Sequence, residues 1–96
     1  MLISNTLKKH DVISIKLLTG EEIIARFEND ESDALIVSKA STLASNPQGG
    51  LGIIPWMMSS NPDTLRINKS SIIAHSLTDK ELADNYISSI TGIQLS

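Results

Sequence analysis

The sequence predicts a mainly β domain, a strongly bent five-stranded antiparallel sheet or open barrel followed by one C-terminal helix. Three observations predict it. Isoleucine occurs 14 times among 96 residues, whereas Phe, Tyr and Trp occur once each; a β-branched side chain is stiff at χ1 and packs well on a pleated surface. From Asp11 apolar and polar residues alternate with a period of two, the repeat of a strand with one buried face. Thr78-Asp79-Lys80-Glu81 has the spacing of a helix capping box and opens the longest stretch of helical periodicity.

Residues 2 to 9, LISNTLKK, space Leu2, Ile3, Thr6 and Leu7 on one face, which predicts a short N-terminal helix. Ile13, Ile15 and Leu17 then alternate with Val12, Ser14 and Lys16 in a first strand. Thr19-Gly20-Glu21 interrupts it, and Gly20 suits the positive φ that a tight hairpin needs. A second strand follows over Glu22 to Glu28. Asn29-Asp30-Glu31-Ser32-Asp33 is a turn, because such side chains bond nearby backbone groups. Ala34 to Ala40 forms a third strand that can continue through Thr42-Leu43.

SNPQGGLG, residues 45 to 52, is the most evident loop. Ile53 to Met58 is apolar but contains Pro55, which cannot donate to a ladder, so it predicts an edge or bulged strand. After the turn SSNPD at 59 to 63, short strands at Thr64 to Ile67 and Ile72 to Ser76 are joined by Asn68-Lys69-Ser70-Ser71. That link has room only for a turn or one 3₁₀ turn. The helix, about residues 79 to 91, repeats Leu82, Tyr86, Ile90 and Ile93 on one face beside Ala83 and Ile87, with Gly92 where a helix stops. The stripe needs a cover, either the domain's own sheet or a neighbouring subunit.

Length and composition predict a single domain over residues 1 to 96. With no cysteine there is no disulfide framework, thiolate metal site or cysteine nucleophile. A net charge of -3, without a basic stripe, is unlike a protein that lives on phosphate contacts. No apolar run approaches the roughly 20 residues of a membrane helix. The N-terminus lacks the long apolar stretch of a secretory signal, so the expected compartment is the cytoplasm.

Catalytic and metal-binding patterns are missing. His10 and His75 stand alone, without the spacing of ligands or of a general base, and read as surface or capping residues. The 14 serines include no nucleophile elbow. The carboxylates of Glu21, Glu22, Asp30, Glu31 and Asp33 do not follow a calcium-loop spacing. The Gly-rich loop lacks the ending of a phosphate cradle. The expectation is a non-enzyme without metal or cofactor. Trp56-Met57-Met58 is a large, adaptable apolar cluster that suits a subunit contact as well as a core.

Two motifs resemble the Sm-like family of Sm, LSm and Hfq proteins. Residues 12 to 27, VISIKLLTGEEIIARF, are similar to its first motif, with Leu17-x-x-Gly20, an apolar pair and Ala25 where many members have Gly. Ile67-Asn68-Lys69-Ser70-Ser71-Ile72 is similar in length and flanks to the second motif, with Lys69 at the position of the Hfq lysine. The arrangement is similar to that of small Sm-like proteins, some from bacteriophages. It departs from the family in placing its helix after the strands, in lacking the Arg-Gly pair of the second motif, and in ending the first motif on an acidic turn.

The resemblance implies a homo-oligomeric ring of roughly five to seven copies, in which the last strand, carrying Ile72 and Ile73, pairs with the fourth strand of the next subunit. It also implies that Asn68, Lys69 and Ser70 face a pore where single-stranded RNA binds, with Asn29 and Asp30 beside it. Two residue-level facts weigh against RNA: neither turn carries an aromatic for base stacking, and the acidic turn repels phosphate. The alternative is an oligomeric interaction or scaffold module with no nucleic-acid role.

Overall fold

The structure is a computed structural model, and it describes residues 7–45, 47, 51–60 and 63–91. Six antiparallel strands precede a single helix: β1 (Val12–Leu17), β2 (Glu22–Asp30), β3 (Ala34–Ser45), β4 (Leu51–Pro55), β5 (Leu65–Asn68), β6 (Ile72–Leu77) and α1 (Lys80–Thr91). The sheet runs β4-β3-β2-β1-β6, and β5 also pairs with β3. β3 therefore divides its outer margin, with residues 34 to 37 against β5 and residues 41 to 45 against β4.

Connectivity forces this sheet to curl. Along β5-β3-β2-β1-β6 there are four strand gaps, which laid flat at ~4.8 Å each would separate β5 from β6 by about 19 Å. Only the 3₁₀ turn Lys69–Ser71 joins those two strands, and at ~2 Å per residue it spans well under half of that. The sheet closes toward a barrel because its two outermost strands are tethered. Ser71 and Asp33 backbone carbonyls accept from Leu18 and Lys69 N–H groups, both at 2.9 Å, and hold the link across the opening.

Alternation fills the inside of the curl. Ile13, Ile15 and Leu17 from β1, Ile23, Ala25 and Phe27 from β2, Leu35 and Val37 from β3, and Ile67 from β5 form one buried cluster. The opposite face carries a smaller one, in which Val12 and Ile24 pack against Tyr86, with Leu82, Ala83, Ile90 and Ile53 around them. The adjacent pair Ile23-Ile24 thus serves two cores. Leu82, Ala83, Tyr86 and Ile90 of the apolar stripe of α1 are thus covered by the domain's own sheet, whereas Ile87 is exposed, and Gly92 and Ile93 lie outside the described residues.

Two bulges in the β2–β3 ladder sharpen the bend, and a third, at Ile73 of β6, interrupts the pairing with β1 between Lys16 and Leu17. Between the pairs Ile24↔Ser41 and Arg26↔Ser38 β3 has an extra residue, and between Phe27↔Val37 and Asn29↔Ile36 the extra residue is Glu28 of β2. Lys39 sits in the first bulge at φ 53, a left-handed conformation. Its carbonyl accepts from the Tyr86 hydroxyl at 2.8 Å and from the Ser41 hydroxyl at 3.0 Å.

Several expectations are corrected. The sheet has six strands rather than five, because Leu51–Pro55 and Leu65–Asn68 are separate strands paired with different parts of β3, and the strand expected over Ile53 to Met58 begins at Leu51 and ends at Pro55. β2 runs on to Asp30, which shortens the acidic turn to Glu31–Asp33. The N-terminal helix over residues 2 to 9 falls mostly outside the described residues; Leu7 and Lys8 are not helical, and Lys9 and His10 form a turn. The capping box is replaced by a simple cap. Thr78 donates its N–H to Val12 and exchanges a hydroxyl hydrogen bond with Ser14, so it belongs to the β6–β1 ladder. Asp79 caps α1, its carboxylate accepting from Leu82 N–H and its carbonyl from Ala83 N–H. Gly20, at φ 94, turns the first hairpin as expected.

Candidate functional site

The two turns singled out in the sequence meet in space. Ala34 pairs with Asn68 across β3 and β5, and this register sets the end of β2 and the acidic turn beside the 3₁₀ turn. Lys69 donates its backbone N–H to Asp33 and its ammonium lies 2.6 Å from the Asp30 carboxylate. Arg66, pointing outward between Leu65 and Ile67, reaches both Glu31 and Asp33. Its hydrogen bond to Glu31 and the charge of that carboxylate raise the guanidinium pKa above its ordinary value. Asn29, Asn68 and Ser70 are exposed around this cluster.

The electrostatic balance of the site follows by count. Asp30, Glu31 and Asp33 face Arg66 and Lys69, which leaves one net negative charge. Both cations are already satisfied by carboxylates, so a phosphate would have to displace an existing partner. Alternation in the sequence marks Arg66 as outward-facing but does not single it out, because its partners lie more than thirty positions away and depend on β3–β5 pairing.

The candidate contact residues separate into two places. Trp56 is half-buried against the inner core, donates its N–H to Ala40, and donates its indole N–H to Glu21 at 2.9 Å. Met57 and Met58 are exposed beyond it. Ile72 packs against the inner core, whereas Ile73, the bulge residue of β6, is 58% exposed and Leu77, paired with Ile13, is 60% exposed. Among the described residues β5 pairs only with β3, and β6 only with β1.

A second polar cluster surrounds the Glu28 bulge. The Glu28 carboxylate, 11% exposed, accepts from the buried Ser38 hydroxyl and lies 3.3 Å from His10 Nε2 and 3.8 Å from Lys9 Nζ. Arg26 Nε donates to the same Ser38 oxygen at 3.2 Å. Each polar group in this cluster has a partner, which reads as a fastening of β2 to β3 and to the turn before β1. His75 is exposed on β6. Among the described residues no group of three or more His, Cys, Asp or Glu side chains could hold a metal ion, and no helix is long and apolar enough to cross a membrane.

No protein-family model matches this chain, and no curated protein matches it significantly.

Proposed function

We propose that this chain is a non-enzymatic, self-assembling module of the Sm-like kind, whose ring serves protein partners. The observation that carries the reading is the pair of one-sided strands at the two ends of the 3₁₀ turn: β5 and β6 each leave one row of backbone groups unpaired among the described residues. Such margins are templates for pairing with another chain. Because the two margins differ, β6 of one copy meeting β5 of the next is a head-to-tail contact, which closes into a ring when the rotation per copy allows it. Ile73 and Leu77, exposed on β6, gain burial in that contact.

Single-stranded RNA at the 68–70 turn is the second reading, favoured by the exposed donors Asn68 and Ser70 beside Lys69. The ion pairs of Lys69 with Asp30 and of Arg66 with Glu31 and Asp33 favour the scaffold instead. Size-exclusion chromatography with light scattering, followed by anisotropy titration of short U-rich and A-rich RNA, tests both. The scaffold predicts a closed oligomer and no binding at micromolar protein. Binding that weakens steeply with salt and is lost in Lys69→Ala makes the pore an RNA site, and a monomer overturns the ring.

A further inference from the structure

We propose that the cavity at the point where β3 changes partners binds a small aliphatic carboxylate. The proposal does not depend on ring formation. β3 leaves β5 after Val37 and joins β4 at Ser41, so the two outer strands cannot close against each other there. A hollow of about 210 Å³ remains, bounded by β3, β4, β5 and the last turns of α1. That is slightly below the usual range of ligand pockets, roughly 300–1,000 Å³, so its occupant is small.

The lining specifies the chemistry. Ile53, Leu65 and Ile90 supply apolar wall, each from a different element, while Ser89, with its hydroxyl, and the cationic Lys39 stand among the lining residues; the Ser41 hydroxyl is already donated to the Lys39 carbonyl. Lys9, Arg66, Lys69 and Lys80 have a carboxylate within ion-pair distance; Lys39, like Lys8, Lys16 and Arg26, has none among the described residues, and of these four it alone lines the cavity. Its exposed side chain is available to an anion. A ligand that uses both features carries one negative charge on a short hydrocarbon body; a phosphate would waste the apolar wall, and a neutral hydrocarbon would waste the lysine.

The backbone adds an independent pointer. At φ 53 the position favours Gly or Asn, yet it holds a long cationic side chain. Strained conformations of this kind persist where the surroundings over-determine them, and they cluster at ligand sites. Here the Tyr86 and Ser41 hydroxyls and the flanking strand pairs fix the Lys39 carbonyl, and the exposed residue stands in the cavity lining.

Methyl NMR titration with octanoate, and with octan-1-ol as its uncharged counterpart, tests the assignment. Octanoate is expected to give saturable shifts at Ile53, Leu65 and Ile90 at millimolar concentration, and octan-1-ol weaker ones. Lys39→Met should weaken octanoate binding by about tenfold, the loss of one charge-assisted contact, and leave octan-1-ol unchanged. Ser89→Trp, an exposed helical site, should block both ligands without lowering the melting temperature. Shifts that fail to saturate, shifts centred elsewhere, or equal octanoate affinity in Lys39→Met overturn the proposal.

Discussion

Tyr86 is the chain's one tyrosine, it is fully buried, and its hydroxyl donates to the carbonyl that the β3 bulge turns out of the ladder. Tyr86→Phe keeps the ring and removes only that donor, while the Ser41 hydroxyl still serves the carbonyl. A loss of about 1 kcal/mol is expected, read from urea unfolding; an unchanged midpoint would show the bond to be idle. The same residue sets a pH dependence. Burial raises its pKa above the ordinary value of 10.0, so below that value the phenol is neutral in both the folded and the unfolded state. Above it the unfolded chain ionises first, and the folded state loses stability as pH rises toward the folded pKa. Melting curves should therefore show the wild type losing ground to Tyr86→Phe as pH rises past that ordinary value, and keeping a constant lead below it.

Lys39 supplies the second residue-level prediction. Its left-handed φ carries a penalty that glycine escapes, and its side chain is exposed, so little burial is lost on removal. Lys39→Gly should stabilise the fold by about 0.5–1 kcal/mol despite glycine's freedom in the unfolded chain. A lower melting temperature would mean that the lysine packs rather than strains. Nothing in the local sequence SKAS announces this conformation, since neither Gly nor Asn stands there. The bulge arises from long-range pairing with β2, which a reading of neighbours does not reach.

At the scale of elements, periodicity is a good guide where one face carries most of the burial, as in β1, whose Val12 alone is buried on the opposite face. β1 alternates cleanly, with Ile13, Ile15 and Leu17 inward and Ser14 and Lys16 outward, and its boundaries match the sequence pattern. Legibility fell where an element answers to distant partners. Thr78 and Glu81 have capping-box spacing, yet Thr78 is held by Val12 and Ser14 in the sheet, and the helix begins one residue later under Asp79. The two candidate turns were each visible as turns, but their ion pairs depend on the β3–β5 register and left no local trace. Asp79→Ala should then lower stability by about 1 kcal/mol through the lost cap, with reduced helical signal near α1 by amide exchange. Glu81→Ala should change it by only a few tenths, since the reciprocal half of a capping box is not formed. Equal losses for the two variants would restore the capping box.

At the scale of the molecule, the short tether between β5 and β6 settles both the curl of the sheet and the fate of its margins. Joining β5 to the edge strand β6 through three residues draws them together at the opening, but the two strands do not pair with each other, so neither completes the other. A second copy can complete both, β6 of one against β5 of the next. Ile73→Lys tests this without disturbing the fold, because Ile73 is more than half exposed in the single chain and outside both buried clusters. A charge on an edge strand is also the device by which proteins block such pairing. The wild type is expected to elute as a closed oligomer and Ile73→Lys as a monomer with unchanged strand content by circular dichroism. Its melting temperature should no longer rise with protein concentration, as that of an assembly does by mass action. Should Ile73→Lys assemble as the wild type does, β6 is not the joining strand, and the free margin of β4 beside exposed Ile54 becomes the place to look.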